Sequence, residues 1–245
     1  MGLIGTAARA GREIVSVLLP SPCVVCAGEL PLRDRHGSCC DSCWSALPRI
    51  VPPRCERCAL PWSCSTGTSP FTCADCIADP PPLDWIDAWG LYEDGLSELL
   101  QAFKFRNHDF MSRHLGALLG EVYEARGDRD FDVVVPVPMH RSRRRARGFN
   151  QAGLLGAVLS SAAGLRLDET LLAKNEERES QAGLPKAQRR ANARGAYLAD
   201  PRVAGRSILL VDDIATTGET LRACAVELTR RKARRVAALV VARTP

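Results

Sequence analysis

Long apolar runs are missing from this sequence of 245 residues. No stretch approaches the roughly 18 consecutive apolar residues that a membrane-spanning helix requires. An apolar segment near the amino terminus, residues 14–19, follows Glu13 and ends at Pro20, so it is too short and too interrupted for a secretion signal. We therefore expect a cytoplasmic chain without a membrane span, in which residues 1–22 form a short amphipathic helix packed on the protein.

Aromatic residues are also scarce, with four Trp, three Tyr and six Phe. Few side chains can therefore stack on unpaired bases, and a net charge of +5 is modest for a dedicated nucleic-acid binder. The first 83 residues carry as many arginines as carboxylates, so the positive excess lies after them. Two clusters supply it, namely Arg141, Arg143, Arg144, Arg145 and Arg147, and then Lys186, Arg189, Arg190 and Arg194.

Cysteine, in contrast, is abundant at one end of the chain, where ten of the eleven cysteines precede residue 77. Four Cys-x-x-Cys pairs can be drawn from these ten. Each pair presents two thiolates on a tight turn, as a tetrahedral zinc site requires. We predict structural Zn²⁺, two ions in all, held by Cys23, Cys26, Cys40, Cys43, Cys55, Cys58, Cys73 and Cys76.

The spacing leaves open which pairs share an ion, and Cys39 competes with Cys40 as a ligand, while Cys64 is a spare. A disulfide framework is the alternative, but it is typical of secreted domains. A redox role would need a βαβ setting that the cysteine pairs lack. We interpret residues 23–79 as a cysteine-rich zinc module, residues 80–83 as a proline linker, and residues 84–245 as a second domain.

Apolar segments alternate with helical patterns throughout the second domain. We predict strands over 85–92, 131–137, 171–174, 208–214 and 236–242, and helices over 95–105, 108–126, 150–163, 186–193 and 217–232. Alternating strands and helices favour a parallel sheet with helices on both faces. The sequence therefore predicts an α/β fold behind a small metal-binding module, and leaves its oligomeric state open.

The most informative segment, residues 208–221, reads ILLVDDIATTGETL. Its apolar start predicts a strand buried on both faces, and ligands of open α/β sheets lie beyond the carboxyl end of such strands. A turn rich in N–H and hydroxyl donors before a helix suits a phosphate, whereas paired carboxylates accept hydrogen bonds from sugar hydroxyls. Helix capping by the acids is the alternative. The predicted ribose 5-phosphate site comprises Asp212, Asp213, Ala215, Thr216, Thr217, Gly218, Glu219 and Thr220.

A second apolar strand, residues 133–137, leads into an arginine-rich segment that ends at Gly148. We interpret this segment as a loop at the same edge of the sheet, where arginine would bind pyrophosphate oxygens. We expect Arg147 to serve that role, because Gly148 and a following helix fix it near the strand. Arg143, Arg144 and Arg145 are expected to contact nucleic-acid phosphates, and a solvated basic loop is the alternative.

The pattern of four apolar residues, Asp-Asp, two residues and Thr-Thr-Gly-x-Thr resembles the phosphoribosyl-pyrophosphate (PRPP) signature of type I phosphoribosyltransferases. A closer resemblance is to the competence-related ComF/GntX family. It rests on the cysteine pairs, the segment 103–105, Pro136-Val-Pro-Met-His with Arg147-Gly-Phe-Asn-Gln, and Gln181 with Arg189 and Asn192.

The ComF/GntX resemblance implies a type I phosphoribosyltransferase fold, a role in handling single-stranded DNA and a DNA-uptake helicase as partner. The chemistry it implies is displacement of pyrophosphate, as its Mg²⁺ complex, from PRPP by a nitrogen acceptor. Asp212, Asp213 and Arg147 would be catalytic and Lys104 a phosphate ligand, unless Lys104 only extends to solvent from a helix end. Residues 178–185 have the composition of a lid, and we expect the zinc module and residues 84–107 to form any base site.

Two functions from different classes are therefore consistent with the sequence. One is a phosphoribosyltransferase that uses PRPP with Mg²⁺. The other is a non-enzymatic single-stranded DNA-handling protein that retains the PRPP pocket. The acceptor base is not specified by the sequence.

Overall fold

The computed structural model describes residues 22–30, 38–62, 71–105, 109–175 and 195–245. Its helices are α1 Asp41–Ser45, α2 Ala74–Ala78, α3 Asp94–Phe103, α4 Ser112–Arg126, α5 Arg141–Arg147, α6 Gln151–Ala163 and α7 Glu219–Arg230. Its strands are β1 Ile86–Leu91, β2 Val133–Pro136, β3 Arg166–Leu167, β4 Leu172–Lys174, β5 Tyr197–Ala199, β6 Ser207–Ala215 and β7 Arg235–Arg243. Within these residues, no helix has both the length and the apolar character that a bilayer crossing requires.

Five strands form a parallel sheet in the order β1-β7-β6-β2-β3. The central strand β6 is buried on both faces. Ile208 and Leu210 belong to one core cluster, while Leu209 and Val211 belong to the other. This alternation explains why the strand lacks polar residues before Asp212, because each face meets a packed layer and not solvent.

Helices cover both faces of the sheet, as the sequence predicts. Helices α4 and α6 pack together on one face, and α7 packs against β6 and β7 on the other. Burial in α7 includes Leu221, Cys224 and Leu228, so Cys224 is a core residue as its helical position indicates. An α/β fold with helices on both faces of a parallel sheet is therefore confirmed.

The predicted strands and helices before residue 175 and after residue 195 correspond to observed ones within a few residues at each end. Two short strands were not predicted. One is β3, with two residues, and the other is β5, which pairs antiparallel with β4 in a separate two-stranded sheet. The predicted helix over 186–193, the lid over 178–185 and the amino-terminal helix lie outside the described residues.

The cysteine-rich module adds a segment to the exposed edge of the sheet, beside β1. The N–H of Ile50 donates to the carbonyl of Trp89 (2.9 Å), and the N–H of Leu91 donates to that of Pro48 (2.8 Å). Gly90 permits this approach, since a Cβ there would lie 2.6 Å from the Pro48 oxygen. The pairing covers a strand edge that would otherwise expose unpaired backbone groups.

The segment 80–83, predicted as a proline linker, lies against the rest of the protein. Pro81 and Leu83 are buried, and Arg57 donates from Nη2 to the Pro81 carbonyl (3.3 Å). The domain boundaries themselves, 23–79 and 84–245, stay predictions.

A buried carboxylate joins the cysteine-rich module to the sheet. Asp87 of β1 is fully buried, and it accepts hydrogen bonds from Arg54 of the module and from Arg126 of α4 (3.0 Å to the latter). Arg126 also lies over the Trp85 ring, with its guanidinium carbon 4.1 Å from the centroid. One buried charge thus holds two arginines that come from separate parts of the chain.

We expect Asp87→Asn to destabilise the protein by about 3 kcal/mol, because breaking a buried pair leaves charges without a partner. At ~2–4 °C per kcal/mol for a chain of this size, the melting temperature should fall by roughly 6–12 °C. Asp84→Asn is the matched control, since Asp84 is 46% exposed in its pair with Arg235. Its loss should stay below about 1 kcal/mol. Equal melting temperatures for the two variants would contradict the assigned role of Asp87.

Candidate functional site

A cavity of about 700 Å³ opens at the carboxyl-terminal edge of the parallel sheet. Strands β1, β2 and β6 all end at this edge, and residues from the loop or helix that follows each of them line the cavity. The lining residues are Tyr92, Lys104, Val137, Pro138, Met139, His140, Ser142, Arg143, Arg147, Asn150, Gln151, Ala152, Lys174, Tyr197, Asp212, Asp213, Ile214, Thr216 and Thr220. The topology therefore brings the predicted acid pair, threonine turn and arginine segment to one site.

The acid pair forms part of β6, whose last residue is Ala215. Because side chains alternate along a strand, Asp212 and Asp213 leave opposite faces of the sheet, yet both reach the cavity. The N–H of Asp213 donates to Oδ1 of Asp212 (2.9 Å). Burial, together with the adjacent Asp213 charge, raises the pKa of Asp212 well above its usual value. A ligand that donates hydrogen bonds or brings positive charge would favour the ionised pair.

Asp213 has a cation close to it. Lys104, at the carboxyl end of α3, places Nζ 3.9 Å from Oδ2 of Asp213, and both residues line the cavity. Extension of Lys104 into bulk solvent, the alternative that the sequence left open, is therefore not what the structure shows. Tyr92 follows β1, so residues 84–107 contribute to the cavity lining, which contains no described residue of the cysteine-rich module. The role of these two segments in a base site stays a prediction.

The threonine turn, residues 215–220, joins the end of β6 to the start of α7. Gly218 precedes α7 with a φ of 74°, a left-handed conformation that glycine adopts without strain. Thr216 and Thr220 face the main cavity, while Ala215 is buried. Thr217, Gly218 and Glu219 line a second cavity, of about 380 Å³, on the other side of the turn. The start of α7 is thus exposed to both cavities, as an anion site at a helix amino terminus requires.

The arginine-rich segment is a helix, so its prediction as a loop was wrong. His140 accepts a hydrogen bond at Nδ1 from the N–H of Ser142 (3.2 Å), and Gly148 ends α5 with a φ of 89°. Arginine has a high helix propensity, so a capped arginine run favours helix over loop. The helix has no buried residue, and its arginines project around it instead of along one strand-like edge.

The helical geometry divides the arginines into two groups. Arg147 and Arg143, one turn apart, line the cavity, whereas Arg144 and Arg145 do not. Arg147 donates from Nη1 to Oε1 of Gln151 (3.2 Å), and Nε2 of that buried glutamine has no hydrogen-bond partner within the described part of the chain. The expectation for Arg147 fits this position, but Arg143 belongs with it and not with the outer arginines.

Polar lining residues without a predicted role include His140, Lys174 and Tyr197. His140 directly follows Pro138 and Met139 in the motif after β2, so its place in the chain could have identified it. Lys174 and Tyr197 come from β4 and β5, which meet only through a long-range antiparallel pair. No local pattern marks such a pair.

The cysteines form two separate clusters of four. Cys23, Cys26, Cys40 and Cys43 form the first cysteine cluster, and Cys55, Cys58, Cys73 and Cys76 form the second cysteine cluster. The Sγ atoms within each cluster lie within 4.8 Å of one another. Tetrahedral zinc with Zn–S bonds of about 2.3 Å places its sulfurs about 3.8 Å apart. The sulfur pairs Cys26–Cys40 (3.9 Å) and Cys58–Cys73 (3.7 Å) match that separation.

Backbone N–H groups also point at the sulfurs. The N–H of Cys40 donates to the sulfur of Cys23 (3.5 Å), and that of Cys73 to the sulfur of Cys55 (3.3 Å). These contacts stabilise thiolates, the form that binds zinc. Cys39 is outside the first cysteine cluster, which contains Cys40 instead. The clusters therefore fit structural zinc, and they settle the pairing in favour of Cys40. Cys64 lies outside the described residues.

The second cysteine cluster lies next to the threonine turn, across the second cavity. Arg222 of α7 connects them, because its Nη2 donates to the Asp79 carbonyl (2.5 Å) and lies 3.3 Å from the Asp79 carboxylate. Arg243 at the end of β7 lies close to Cys58, and its backbone pairs with Ala215. The supports of the turn are thus shared with the cysteine-rich module.

Comparison with known proteins agrees with this architecture. Residues 14–78 match the family model of the double zinc ribbon domain, and residues 106–245 match that of the phosphoribosyl transferase domain. The "DNA utilization protein YhgH" of Escherichia coli K12 is 31% identical over 230 residues, which cover 92% of this chain and 98% of that protein. "Competence protein F" of Haemophilus influenzae is 29% identical, covering 81% and 86% of the two chains.

A third relative, "Competence protein ComFC" of Bacillus subtilis, is 30% identical and covers 74% of each chain. Among solved structures, the glutamine PRPP amidotransferase of B. subtilis superposes with a TM-score of 0.40 at 22% identity, over 55% of this chain and 26% of that one. The phosphoribosyl transferase model matches more than half of the chain, and YhgH matches nearly all of it. The chain therefore belongs to the ComF family, in which a double zinc ribbon precedes a phosphoribosyl transferase domain.

Proposed function

We propose that this protein binds PRPP together with Mg²⁺ and transfers ribose 5-phosphate to a nitrogen acceptor, releasing pyrophosphate. The observation that carries the proposal is the meeting of opposite charges across one cavity. Asp212, Asp213 and the threonine turn come from the end of β6 and the start of α7, and Arg143 and Arg147 come from α5, which follows β2. A ribose that bears a phosphate at one end and a pyrophosphate at the other matches this distribution of charge.

Each group of the ligand has a candidate partner in the cavity. The 5-phosphate suits the N–H groups and hydroxyls of the turn at the start of α7. The paired ribose hydroxyls suit Asp212 and Asp213, which accept hydrogen bonds when ionised. The pyrophosphate suits Arg143 and Arg147, whose planar guanidinium groups bind phosphate oxygens in pairs. Mg²⁺, when bound with PRPP, would offset charge on the pyrophosphate.

The proposed reaction is a displacement at the anomeric carbon. The bond from that carbon to a pyrophosphate oxygen breaks, and the oxygen keeps the electron pair. A new bond forms to the acceptor nitrogen, which gives up a proton. Positive charge that develops on the ribose would be stabilised by the Asp212 and Asp213 carboxylates, and negative charge on the leaving group by Arg147.

The direct test is calorimetry of the full chain with PRPP in the presence and absence of Mg²⁺, followed by a screen of bases and amines for pyrophosphate release. Saturable binding with release for one acceptor class would support the transferase. Binding without release for any acceptor would leave a PRPP-binding protein that is not a transferase. Absence of PRPP binding would overturn the proposal.

Single-stranded DNA handling is the second candidate function, and two observations favour it. The arginines of α5 at positions 141, 143, 144 and 145 are exposed. Relatives of this chain are named "DNA utilization protein" and "Competence protein". Exposed arginines on a short helix suit a phosphate backbone, whose binding weakens with salt. A DNA-uptake helicase as partner and a cytoplasmic location stay predictions.

The two functions can be separated by the two groups of arginines. We expect Arg147→Ala to lower PRPP affinity by about tenfold or more, because a hydrogen bond to a charged group contributes about 1.5–3 kcal/mol. Arg144→Ala with Arg145→Ala should leave PRPP affinity unchanged. If these two contact DNA, the double variant should weaken binding of a single-stranded oligonucleotide and reduce its log–log salt slope by about 0.7 per lost contact.

Titration of both variants with PRPP and with the oligonucleotide at two salt concentrations gives the measurement. Equal loss of PRPP affinity in both variants would contradict the division of α5 into two groups. Unchanged oligonucleotide binding in the double variant would remove the structural support for DNA contact by Arg144 and Arg145.

A further inference from the structure

The antiparallel β4–β5 pair brings a lysine and a tyrosine without a predicted role to the wall of the main cavity. Lys174 and Tyr197 are directly opposite each other in the antiparallel pair, and both line the cavity. Strand β5 packs on α7, and Tyr197 is buried there with 4% of its surface exposed. The β4–β5 pair therefore fixes the two side chains relative to α7, the helix that begins at the threonine turn.

Their contacts lead from the lysine to the turn. Lys174 donates from Nζ to the Tyr197 hydroxyl (3.3 Å), and the same Nζ lies 4.6 Å from the ring centroid. The tyrosine hydroxyl in turn faces Thr220 and Cys224 of α7, with Asp212 nearby. Burial raises the pKa of Tyr197, so its phenol stays neutral and can donate as well as accept. One side chain thus separates the ammonium from Thr220, the last residue of the turn.

The threonine turn itself lacks a positive side chain. Residues 215–220 are Ala-Thr-Thr-Gly-Glu-Thr, which supply N–H groups, hydroxyls and one carboxylate. A phosphate dianion in this turn would therefore gain hydrogen bonds but no counter-charge from it. Of the other cations in the cavity lining, Lys104 lies beside Asp213, and Arg143 and Arg147 come from the helix after β2. Arg222 and Arg243 line the second cavity with the turn, whereas among the described cations of the main cavity Lys174 is the one whose contacts lead to Thr220.

We propose that Lys174 binds the 5-phosphate of the ribose ligand and that Tyr197 is the positioning residue that holds the ammonium beside the turn. This inference rests on the proposed function and adds a specific contact to it. It also gives the buried Tyr197 hydroxyl, which accepts from Lys174, a role at the cavity wall. A lysine that only stabilised the β4–β5 pair would not need to line the cavity.

The test uses ligands that separate the two ends of PRPP. The parent chain, Lys174→Gln, Lys174→Arg and Tyr197→Phe are each titrated calorimetrically with PRPP, ribose 5-phosphate and pyrophosphate with Mg²⁺. Lys174→Gln should lose about tenfold or more in affinity for PRPP and ribose 5-phosphate, as expected for one lost charge-assisted bond. Its pyrophosphate affinity should change less than about twofold. Lys174→Arg should recover most of the loss, because it keeps the charge.

Tyr197→Phe should show a smaller loss with the same preference for ribose 5-phosphate, since the ammonium remains but is less well held. Lys232→Gln, in the exposed turn after α7, is the matched control and should bind all three ligands like the parent. Thermal melting of each variant shows whether it is folded.

The outcomes separate this inference from the function on which it rests. If the parent binds PRPP but Lys174→Gln binds ribose 5-phosphate as tightly as the parent, the inference alone is wrong. A loss confined to pyrophosphate would assign Lys174 to the other end of the ligand and also overturn it. A lower melting temperature with unchanged affinities would show that the lysine only stabilises the β4–β5 pair. If the parent binds none of the three ligands, the proposed function fails as well.

Discussion

Replacing Asp212 and Asp213 together by asparagine should reduce PRPP affinity by at least about 100-fold while the protein stays folded. The carboxylates are the proposed acceptors for the ribose hydroxyls, and hydrogen bonds to charged groups contribute about 1.5–3 kcal/mol each. Asparagine preserves the shape of the side chain but presents an N–H₂ group where one oxygen was. Calorimetry with PRPP and Mg²⁺ gives the measurement. An affinity equal to that of the parent would contradict the assignment of Asp212 and Asp213 to the ribose hydroxyls.

A matched control for charge is available at the opposite edge of the sheet. Asp130 and Asp132 precede β2 and are 64% and 51% exposed at their side chains. Their replacement by asparagine removes the same number of charges but lies far from the cavity along the strand direction. This control should bind PRPP like the parent. A similar loss in both double variants would indicate a general effect of net charge and not a ribose site.

The single variant Asp212→Asn should also be more stable than the parent in the absence of ligand. The pKa of Asp212 is raised by burial and by Asp213, so its ionised form is less favourable in the folded chain than in the unfolded chain. Protonation therefore stabilises the parent at low pH, and this contribution is lost as the pH rises through the raised pKa. Asparagine stays neutral at every pH, so its advantage should grow as the pH rises from the ordinary aspartate pKa of the unfolded chain to the raised pKa of the folded chain, and it should vanish below the former.

Melting temperatures of the parent and of Asp212→Asn, measured across pH, test whether the substitution stabilises the protein. We expect a higher melting temperature for Asp212→Asn at neutral pH, and equal temperatures in acid where the parent carboxyl is protonated. A site that is destabilising without its ligand is typical of functional residues, because ligand contacts offset the repulsion only when bound. A variant that is less stable than the parent at neutral pH would indicate that the pair serves the fold instead.

The acid pair and the threonine turn were predictable because their signals are local. A strand without polar residues, two adjacent acids and a Gly-containing turn before a helix fall within 14 consecutive residues, 208–221. Parallel topology then fixes which edge of the sheet they occupy. The same reasoning placed Arg147 near Asp212, although their positions in the chain are 65 residues apart. Strand ends of a parallel sheet meet regardless of sequence separation.

Other parts of the site depend on contacts that no local pattern encodes. The run at 141–147 directly follows a buried strand that ends at the ligand edge of the sheet, which favours a loop, yet a cap at His140 and a left-handed Gly148 delimit a helix. Tyr197 belongs to a strand of three residues, which is too short to show an alternation of apolar and polar residues. Only its pairing with Lys174 places it at the cavity. Which cysteine pairs combine into each cluster is likewise decided by tertiary contacts and not by local spacing.

Zinc should be required for PRPP affinity through the second cysteine cluster but not through the first. Elemental analysis of the purified chain should find about two zinc ions, one for each cluster. Zinc binding contributes about 10–16 kcal/mol apparent in small finger-like modules, so loss of an ion should unfold the turns around it. The two clusters differ in what those turns support.

The second cysteine cluster supports the threonine turn. Arg222 holds α7 to the Asp79 carbonyl, and Arg243 faces Cys58 while its backbone pairs with Ala215. Four thiolates on one Zn²⁺ leave a net charge of about −2, which the Arg243 cation would offset. Without the metal complex, both arginines lose their ordered partners beside the phosphate site. The first cysteine cluster lies near the start of α3, where Val25 is close to Gly95, and none of its four cysteines lines either cavity.

Cys58→Ser and Cys26→Ser form a matched pair for this difference. Each should lose one zinc ion by elemental analysis, but Cys58→Ser should lose PRPP affinity by roughly tenfold or more, as expected if one or two phosphate-site bonds weaken. Cys26→Ser should retain PRPP affinity within about twofold. Equal affinities in the two variants would show that the second cysteine cluster does not support the turn. A parent chain without zinc, with disulfides by mass spectrometry, would overturn the metal assignment itself, because an oxidised Cys-x-x-Cys cannot present the four thiolates that each zinc ion needs.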